Sequence, residues 1–305
     1  MKTLYISDLD GTLLNSKQQI SAYTNRVIGK CIEQGMLFSY ATARSYHSAK
    51  PVTVGLEARI PLILYNGSFV LDSQSQEVIL SHFFTVQEVQ DLMAFFEKHK
   101  FYPIVYSLFD KQDKFSYVPH LSEKEELDFV ATRNDVRKHP IEHQDHLYDG
   151  DVFYISCISK KEILDPFYEQ LKDRYQCLYS QDIYSHDWWL EILPQNVSKA
   201  TAIQQLKKYL NCNQVIAFGD GKNDISMFEM ADQCYAVDNA CDELKAIALA
   251  LNTSADMLLD LKDPELTWAD LGMPYGGKIP EELKDTYADI ARGYFKRHPE
   301  YLDKE

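Results

Sequence analysis

Two aspartates follow the first apolar segment of the chain, where residues 8–12 read Asp-Leu-Asp-Gly-Thr. The segment before them, Thr3 to Ser7, is short, apolar and β-prone, which predicts a buried strand. Carboxylates just past a strand end can face the crevice at the carboxyl edge of an open α/β sheet, where such sheets bind ligands. Gly11 would let the backbone turn sharply there. The simpler alternative is an acidic turn that only ends the strand, because Asp and Gly are common turn residues.

A second acidic loop has the same form. Residues 219–224 read Gly-Asp-Gly-Lys-Asn-Asp and follow an apolar segment, Gln214 to Phe218, that predicts another buried strand. Asp220 and Asp224 bring further carboxylates to this strand terminus. Clustered carboxylates repel one another unless a hard cation neutralises them, and Mg²⁺ prefers oxygen ligands in an octahedron. Three carboxylates, a backbone carbonyl and a phosphate oxygen would suit this ion.

The glycines suggest two nucleotide-binding motifs, and both fail. The run that starts at Gly219 lacks the third glycine of the dinucleotide fingerprint, because Asp224 stands in its place. Gly272 to Lys278 nearly matches a phosphate-binding P-loop, but Ile279 replaces the Ser or Thr that holds the metal ion.

Alternating strands and amphipathic helices frame the two acidic loops. Ser21 opens a helix that Gly35 ends, and Asn66-Gly67 is a turn signal for a hairpin over 68–71 and 78–82. The other segments of this type are strands over 36–41, 61–64 and 234–237 and helices over 199–210, 223–231 and 242–251. Strands that alternate with helices in this way predict a parallel sheet.

From about residue 84, the middle of the chain has a different pattern of secondary-structure signals. Helices and strands occur there without the long apolar runs of the first part. The signals are capping pairs at Thr85 with Glu88 and at Ser122 with Glu125, strands over 102–108, 151–159 and 188–193, and a helix over 160–174. This segment is therefore interpreted as an α+β insertion, and Trp188-Trp189 as packing residues of its last strand.

Length and charge limit the class of protein. The chain has 305 residues, so two domains, or one domain with a large insertion, are expected. The net charge of −15 repels nucleic acid and anionic membranes, so neither is expected as a partner. No apolar run reaches the roughly 18 residues of a membrane span, and the apolar start is too short for a signal peptide. The six cysteines form no C-x-x-C pair, which indicates a reducing compartment and a cytoplasmic protein.

Taken in order, four short motifs resemble those of the haloacid dehalogenase superfamily. They are Asp8-x-Asp10-Gly11-Thr12, Thr42, Lys199 and the loop 219–224. The long gap between Thr42 and Lys199 places the insertion between the second and third motifs, which resembles the Cof-type branch with its C2 cap. The resemblance covers about residues 1 to 260. Ala43 departs from the family pattern, because a glycine is usual after the threonine.

The resemblance implies a role for each matching residue. Asp8 would be the nucleophile that forms an aspartyl-phosphate, and Asp10 the general acid and base. The residues implied at the Mg²⁺ ion are Asp8, Asp10 through its carbonyl, Asp220 and, by steering a metal-bound water, Asp224. Those implied to hold the phosphoryl oxygens are Leu9 and Ala43 through backbone N–H groups, Thr42, Lys199 and Asn223.

The predicted fold is α/β, with a doubly wound, mostly parallel, Rossmann-like sheet and an inserted α+β cap domain. The catalytic core is predicted over 1–83 and 190–262, and the C2-type cap over 84–189. Residues 263–305 are predicted to form a C-terminal extension with a terminal helix, which could pack on the core or mediate a homodimer.

The predicted activity is Mg²⁺-dependent hydrolysis of phosphomonoesters of small metabolites, either sugar phosphates or phosphorylated cofactors. Two alternatives stay open on the motifs alone. The first is a phosphotransferase or phosphomutase that passes the phosphoryl group to a sugar hydroxyl. The second is a module that binds a phosphorylated metabolite without turning it over.

Overall fold

The computed structural model describes residues 2–250 except 110–111, 134 and 183–184. Thirteen strands lie in this part of the chain: β1 Thr3–Ser7, β2 Leu37–Tyr40, β3 Leu62–Leu64, β4 Phe69–Leu71, β5 Val78–Ser81, β6 Ile104–Phe109, β7 Gln112–Tyr117, β8 Lys138–Pro140, β9 Asp151–Ser159, β10 Gln176–Gln181, β11 Trp188–Leu193, β12 Gln214–Gly219 and β13 Gln233–Ala236. Eight helices lie there as well: α1 Ala22–Glu33, α2 Tyr46–Ala49, α3 Val86–His99, α4 Lys124–Thr132, α5 Lys161–Leu171, α6 Lys199–Tyr209, α7 Ile225–Met230 and α8 Asp242–Ala250. The predicted extension 263–305 and the predicted end of the core at 251–262 lie outside the described residues.

Four strands form a parallel sheet in the order β13-β12-β1-β2, with β1 between two neighbours. Ile6 lies opposite Ala217 on one side and Ser39 on the other. Leu4 and Ile6 are fully buried because they pack in one cluster with residues of α6 and α7. All four strands run in the same direction, so the loops at their carboxyl ends meet at one edge of the sheet. The predicted α/β fold with a mainly parallel sheet is confirmed.

A short antiparallel sheet adjoins the parallel sheet beyond β2. β3 touches the parallel sheet through a single bridge between Ile63 and Ala41, and then pairs with β4 and β5 in the order β3-β4-β5. The segment predicted as a third parallel strand therefore leaves the parallel sheet after one bridge. The predicted hairpin is present as β4 and β5.

The middle segment forms a six-stranded sheet in the order β10-β11-β9-β6-β7-β8, antiparallel except where β7 meets β8. One face packs against α3 and α5, which contribute Phe96 and Phe167 to its core. Tyr106 and Tyr154 are paired across β6 and β9 and lie on the other face, where their rings contact Tyr65 of the core. Within the described residues, no helix combines the length and apolar character needed to cross a bilayer.

Two predicted boundaries shift in the structure. The second capping box uses Glu123 and Glu126 instead of Ser122 and Glu125, because both pairs have the required spacing and Ser122 donates to the Tyr102 carbonyl. Strand β11 crosses the domain boundary predicted at residue 190 and pairs wholly within the six-stranded sheet. The division into core and cap stays a prediction.

Candidate active site

The predicted site residues meet at the carboxyl edge of the parallel sheet. Asp8 directly follows β1, and its backbone N–H donates to the Phe218 carbonyl of β12 at 2.9 Å. Asp220 follows β12, and Thr42 follows the bridge that ends β2. Asp8 is 5% exposed and Leu9 and Thr42 are fully buried. The adjacency of these parallel strands therefore brings together residues that are far apart in the sequence.

Lys199 lies at the centre of the site. Its ammonium donates to Asp8 Oδ1 at 2.5 Å and to Asp224 Oδ1 at 2.6 Å, and all three side chains are buried. Lys199 is the first residue of α6, whose N-cap Ser198 accepts a hydrogen bond from a backbone N–H of the first turn. Gly67 packs so closely on Ser198 that a Cβ there would overlap the Ser198 carbonyl. The turn at Gly67 thus fixes where α6, and with it Lys199, begins.

Three carboxylates form a compact cluster beside this lysine. One oxygen each from Asp8, Asp220 and Asp224 lie within 4.8 Å of one another. Asp224 Oδ2 accepts from the backbone N–H groups of Asp220 at 3.0 Å and Gly221 at 3.1 Å. Asp220 Oδ1 accepts from the Thr12 hydroxyl at 2.7 Å. These bonds aim the carboxylates inward, so the cluster is a fixed set of oxygen donors.

Gly11 makes room for this cluster. Its φ is +77°, which lies in the left-handed region that favours glycine. A Cβ at this position would also overlap Asp220 Oδ2. The sharp turn inferred from the sequence is therefore present and is required by a contact as well as by the backbone.

Burial and mutual repulsion shape the charges of the cluster. Burial raises the pKa of Asp8 to about 8, although Lys199 opposes the rise and the Asp224 charge adds to it. Burial alone would lower the pKa of Lys199, but the carboxylates of Asp224 and Asp8 hold it above its ordinary value. The pKa of Asp220 is also raised, mainly by burial. One ammonium therefore does not compensate all three carboxylates.

The cluster suits a divalent hard cation. Its donors are carboxylate oxygens, which are the ligands that Mg²⁺ prefers, and three carboxylates lie beside a single lysine ammonium. Asp8 and Asp220 would hold Mg²⁺ through their side chains, and Asp224 would orient a water on the ion.

The Asp10 side chain lies outside the carboxylate cluster. Arg44 donates from Nε to Asp10 Oδ2 at 2.7 Å and from Nη2 to Asp10 Oδ1 at 2.6 Å, which forms a two-pronged ion pair. The Asp10 side chain is 49% exposed, unlike that of Asp8. Arg44 was not singled out as a site residue from the sequence. Its arginine type and its place two residues after Thr42 were the available signal.

The predicted phosphate-binding residues Thr42 and Asn223 both hydrogen-bond to Asn66. The Thr42 hydroxyl accepts from the Arg44 backbone N–H at 3.1 Å, and Ala43 lies between these two residues, partly buried. Asn223 donates from Nδ2 to Asn66 Oδ1 at 3.2 Å. Asn66 has a φ of +52° and was interpreted from the sequence only as part of a turn.

Asn66 also links the site to the six-stranded sheet. Its Nδ2 donates to the Tyr154 hydroxyl at 3.2 Å, and that hydroxyl donates to Glu191. Burial raises the pKa of Glu191, although the bond from Tyr154 opposes the rise. Sequence reasoning missed all three residues of this chain of hydrogen bonds. No local pattern marks a contact between positions 66 and 154.

Comparison with known proteins places this geometry in a family. The haloacid dehalogenase-like hydrolases match residues 5–257 of the chain. Two curated relatives come from Bacillus subtilis strain 168. The 5-amino-6-(5-phospho-D-ribitylamino)uracil phosphatase YwtE is 27% identical and covers 84% of this chain and 94% of its own. Phosphatase YwpJ is 27% identical and covers 84% of this chain and 96% of its own.

Solved structures agree on the fold. A haloacid dehalogenase-like hydrolase from B. subtilis aligns with a TM-score of 0.67 at 22% identity, over 86% of this chain and 100% of its own. Another from Bacteroides thetaiotaomicron aligns with a TM-score of 0.66 at 24% identity, over 81% of this chain and 92% of its own. The chain therefore belongs to the haloacid dehalogenase-like hydrolases, as its motifs indicated. Within that family it is a phosphatase, the activity for which both curated relatives are named.

Proposed function

We propose that the protein hydrolyses phosphomonoesters of small metabolites with the help of Mg²⁺, through an aspartyl-phosphate on Asp8. The observation that carries the proposal is the contact of buried Asp8 with Lys199 inside a cluster that also holds Asp220 and Asp224. A buried carboxylate next to an ammonium and two further carboxylates has little structural use. It suits a nucleophile that must accept a phosphoryl group beside a cation.

The first step forms a bond between Asp8 and phosphorus while the bond from phosphorus to the leaving oxygen breaks. Lys199 donates to Asp8 Oδ1, which leaves Oδ2 with no hydrogen-bond partner among the described residues and therefore available to attack. Asp10 gives a proton to the leaving oxygen, which departs as an alcohol. Arg44 fixes the direction of the Asp10 carboxylate, so that side chain must turn from Arg44 to reach the leaving oxygen.

The second step returns Asp8 to its free form. Asp10 takes a proton from water, the water oxygen bonds to phosphorus, and the bond between phosphorus and Asp8 breaks to give inorganic phosphate. Thr42, Lys199, Asn223 and the backbone N–H groups of Leu9 and Ala43 hold the phosphoryl oxygens during both steps. When bound, Mg²⁺ would neutralise charge on the phosphoryl oxygens and the carboxylates. Asp10 would contribute its carbonyl to the ion, and Asp224 would orient a water.

The substrate class is a small phosphorylated metabolite, either a sugar phosphate or a phosphorylated cofactor. One relative is named for 5-amino-6-(5-phospho-D-ribitylamino)uracil, so this compound belongs in the panel of test substrates. We further propose a cytoplasmic enzyme, because all six cysteines are free and Cys157 and Cys234 are buried.

Phosphate release from a broad panel of phosphomonoesters tests the proposal. We expect turnover with Mg²⁺, none after chelation, and a loss of at least about a thousandfold in kcat for Asp8→Asn. The matched control is Asp145→Asn, because Asp145 is exposed on a separate turn. Full activity of Asp8→Asn, or no release from any compound, would overturn the proposal. Product analysis with acceptor sugars separates hydrolysis from phosphoryl transfer.

A further inference from the structure

Three hydrogen-bond donors on the six-stranded sheet and its helix have no hydrogen-bond partner within the described residues. They are the guanidinium of Arg133, the hydroxyl of Tyr106 and the indole N–H of Trp189. Tyr106 is only 8% exposed, and the indole nitrogen is buried. A buried donor without a partner costs about 1–3 kcal/mol, so the Trp189 N–H needs an explanation, and the partly exposed Arg133 and the Tyr106 hydroxyl add two more donors without a protein acceptor in the described part of the chain. We call Tyr106, Arg133 and Trp189 the donor cluster.

The members of the donor cluster are neighbours. The Arg133 guanidinium stacks over the Phe129 ring at 4.5 Å from its centre, and the Trp189 ring meets Phe129 edge-on with centres 4.9 Å apart. Tyr106 lies close enough to Arg133 for each to affect the pKa of the other. Phe129 thus contacts both Arg133 and Trp189, and Tyr106 lies near Arg133.

The donor cluster adjoins the proposed catalytic loops. The charge of Arg44, which binds Asp10, contributes to a lowered pKa of Arg133, behind the larger effect of burial. The Tyr106 ring packs on Tyr154 with centres 5.5 Å apart, and Tyr154 bonds to Asn66 beside the phosphate-binding residues. A leaving group that extends from Asp10 would therefore meet the donor cluster.

Neighbouring arginines already have anionic partners. Arg137 pairs with Asp135 at 2.7 Å, and Arg44 with Asp10 at 2.6 Å. Arg133 follows the last residue of α4, where a cation is stabilised by the helix dipole, and its stacking on Phe129 is favourable too. Those effects explain a cation at this position. They do not explain why the Tyr106 hydroxyl and the Trp189 N–H nearby also lack acceptors.

We propose that the donor cluster binds a second oxyanion of the substrate, a carboxylate or a phosphate on the leaving group. Arginine and indole N–H groups only donate, and a guanidinium matches the two oxygens of such an anion. The preferred substrates are then phosphomonoesters with two anionic groups. The inference rests on the proposed function, since it concerns the leaving-group side of the same site.

Matched substrate pairs test the inference. The carboxylate arm compares 3-phosphoglycerate with glycerol 3-phosphate, and the phosphate arm compares fructose 1,6-bisphosphate with fructose 6-phosphate. We expect Arg133→Gln to lower kcat/KM for the doubly anionic member of at least one pair by roughly ten- to a hundredfold, the loss typical of a charged hydrogen bond. The other member should change less than about twofold. The arm that responds identifies the anion, and equal losses on both members, or no loss, would overturn the inference.

Controls separate binding from folding. Arg26→Gln should leave every value unchanged, because Arg26 is exposed and stacks on Tyr23 in the same manner, at 5.6 Å. Trp189→Phe keeps an aromatic ring, removes one donor and should weaken binding of only the doubly anionic substrate. Arg133→Lys should restore part of the loss of Arg133→Gln.

A binding measurement separates this inference from the proposed function. Calorimetric titration of the same four compounds into Asp8→Asn, with and without Arg133→Gln, needs no turnover. Tighter binding of a doubly anionic compound that depends on Arg133 would support the donor cluster even if the wild-type protein released no phosphate. Equal affinity within both pairs would overturn the inference even if the protein is an active phosphatase.

Discussion

Replacing Lys199 tests how far its positive charge stabilises the buried carboxylates of the site. In Lys199→Met, the carboxylates of Asp8 and Asp224 would remain buried without their cation, so we expect a destabilisation of about 3–5 kcal/mol and a large loss of activity. Urea unfolding with and without Mg²⁺ measures it, and Mg²⁺ should restore part of the stability. Lys207→Met is the control, because the partly exposed Lys207–Asp232 pair is worth less than about 1 kcal/mol. Equal losses for the two variants would contradict the expectation.

A substitution at Gly11 tests how closely the turn packs against the carboxylate cluster. Gly11→Ala would force a Cβ onto Asp220 Oδ2 at a φ of +77°, and we expect a loss of about 1–3 kcal/mol together with weaker Mg²⁺ binding. Gly29→Ala in α1 is the matched control, because a Cβ there meets nothing within 4 Å. It should stabilise the protein by up to about 1 kcal/mol. Urea unfolding and Mg²⁺ titration measure the stability and the Mg²⁺ affinity of both variants. A Gly11→Ala variant with the stability and Mg²⁺ affinity of the wild type would contradict the expectation.

At the scale of one element, α4 carries a fully buried acid against β9. Glu126 accepts from the Glu123 N–H at 3.2 Å, and burial raises its pKa well above the ordinary range, although two backbone N–H groups oppose the rise. The native protein therefore keeps a proton that the unfolded chain loses above about pH 4.5. Stability should fall as pH rises, by about 1.4 kcal/mol per pH unit from this group, until the native pKa is reached.

Glu126→Gln should remove this slope, because a neutral amide of the same shape stays uncharged in both states. We expect the variant to gain stability over the wild type as pH rises from about 4.5 to 8, with little difference at the acid end. Urea unfolding across this range measures the difference. Asp128→Asn on the exposed side of α4 should show no such trend. A difference between Glu126→Gln and wild type that does not change with pH would rule out the buried acid as its cause.

Elements with strong local patterns were predictable. The bounds of β1, β9 and β11 match the structure because an apolar or alternating run ends at each of them. The start of α4 was wrong by one residue, since Ser122 and Glu123 both precede a glutamate at the capping distance. Local chemistry narrows a helix start to a few residues, and tertiary contacts decide among them.

In the site, too, local sequence patterns predict residue positions but not the contacts between distant segments. Asp8, Lys199, Asp220 and Asp224 were predictable because each occupies a strand end or helix start within a recurrent motif, and the structure brings all four together. The ion pair between Asp10 and Arg44, and the contact of Asn66 with Tyr154, join separate segments through side chains alone. No periodic or spacing signal in the sequence pairs these residues with each other.

At the scale of the whole molecule, Tyr65 ties the first part of the chain to the six-stranded sheet. Its hydroxyl donates to Asp113 at 2.5 Å and accepts from Arg137 at 2.8 Å, and its ring lies 4.9 Å from that of Phe153. Tyr65→Phe keeps the ring and removes the bonds, so we expect a loss of about 1–3 kcal/mol in unfolding free energy. Tyr209→Phe, at a position that is 62% exposed, should cost under about 0.5 kcal/mol. Circular dichroism during urea unfolding compares the two variants. Equal unfolding free energies for both would show that the Tyr65 hydroxyl does not stabilise the protein.

The central place of β1 has a consequence for how the protein is made. Thr3 of β1 pairs with Gln214 of β12. Strand β1, which leads to Asp8, therefore cannot complete its pairing until β12 has left the ribosome, much later in synthesis. At about 5–20 residues per second, that delay is roughly 10 to 40 seconds. Leu4 and Ile6, fully buried in the finished protein, would face solvent or a chaperone during this time. Asp8 is thus synthesised well before β12, the neighbouring strand that completes its surroundings.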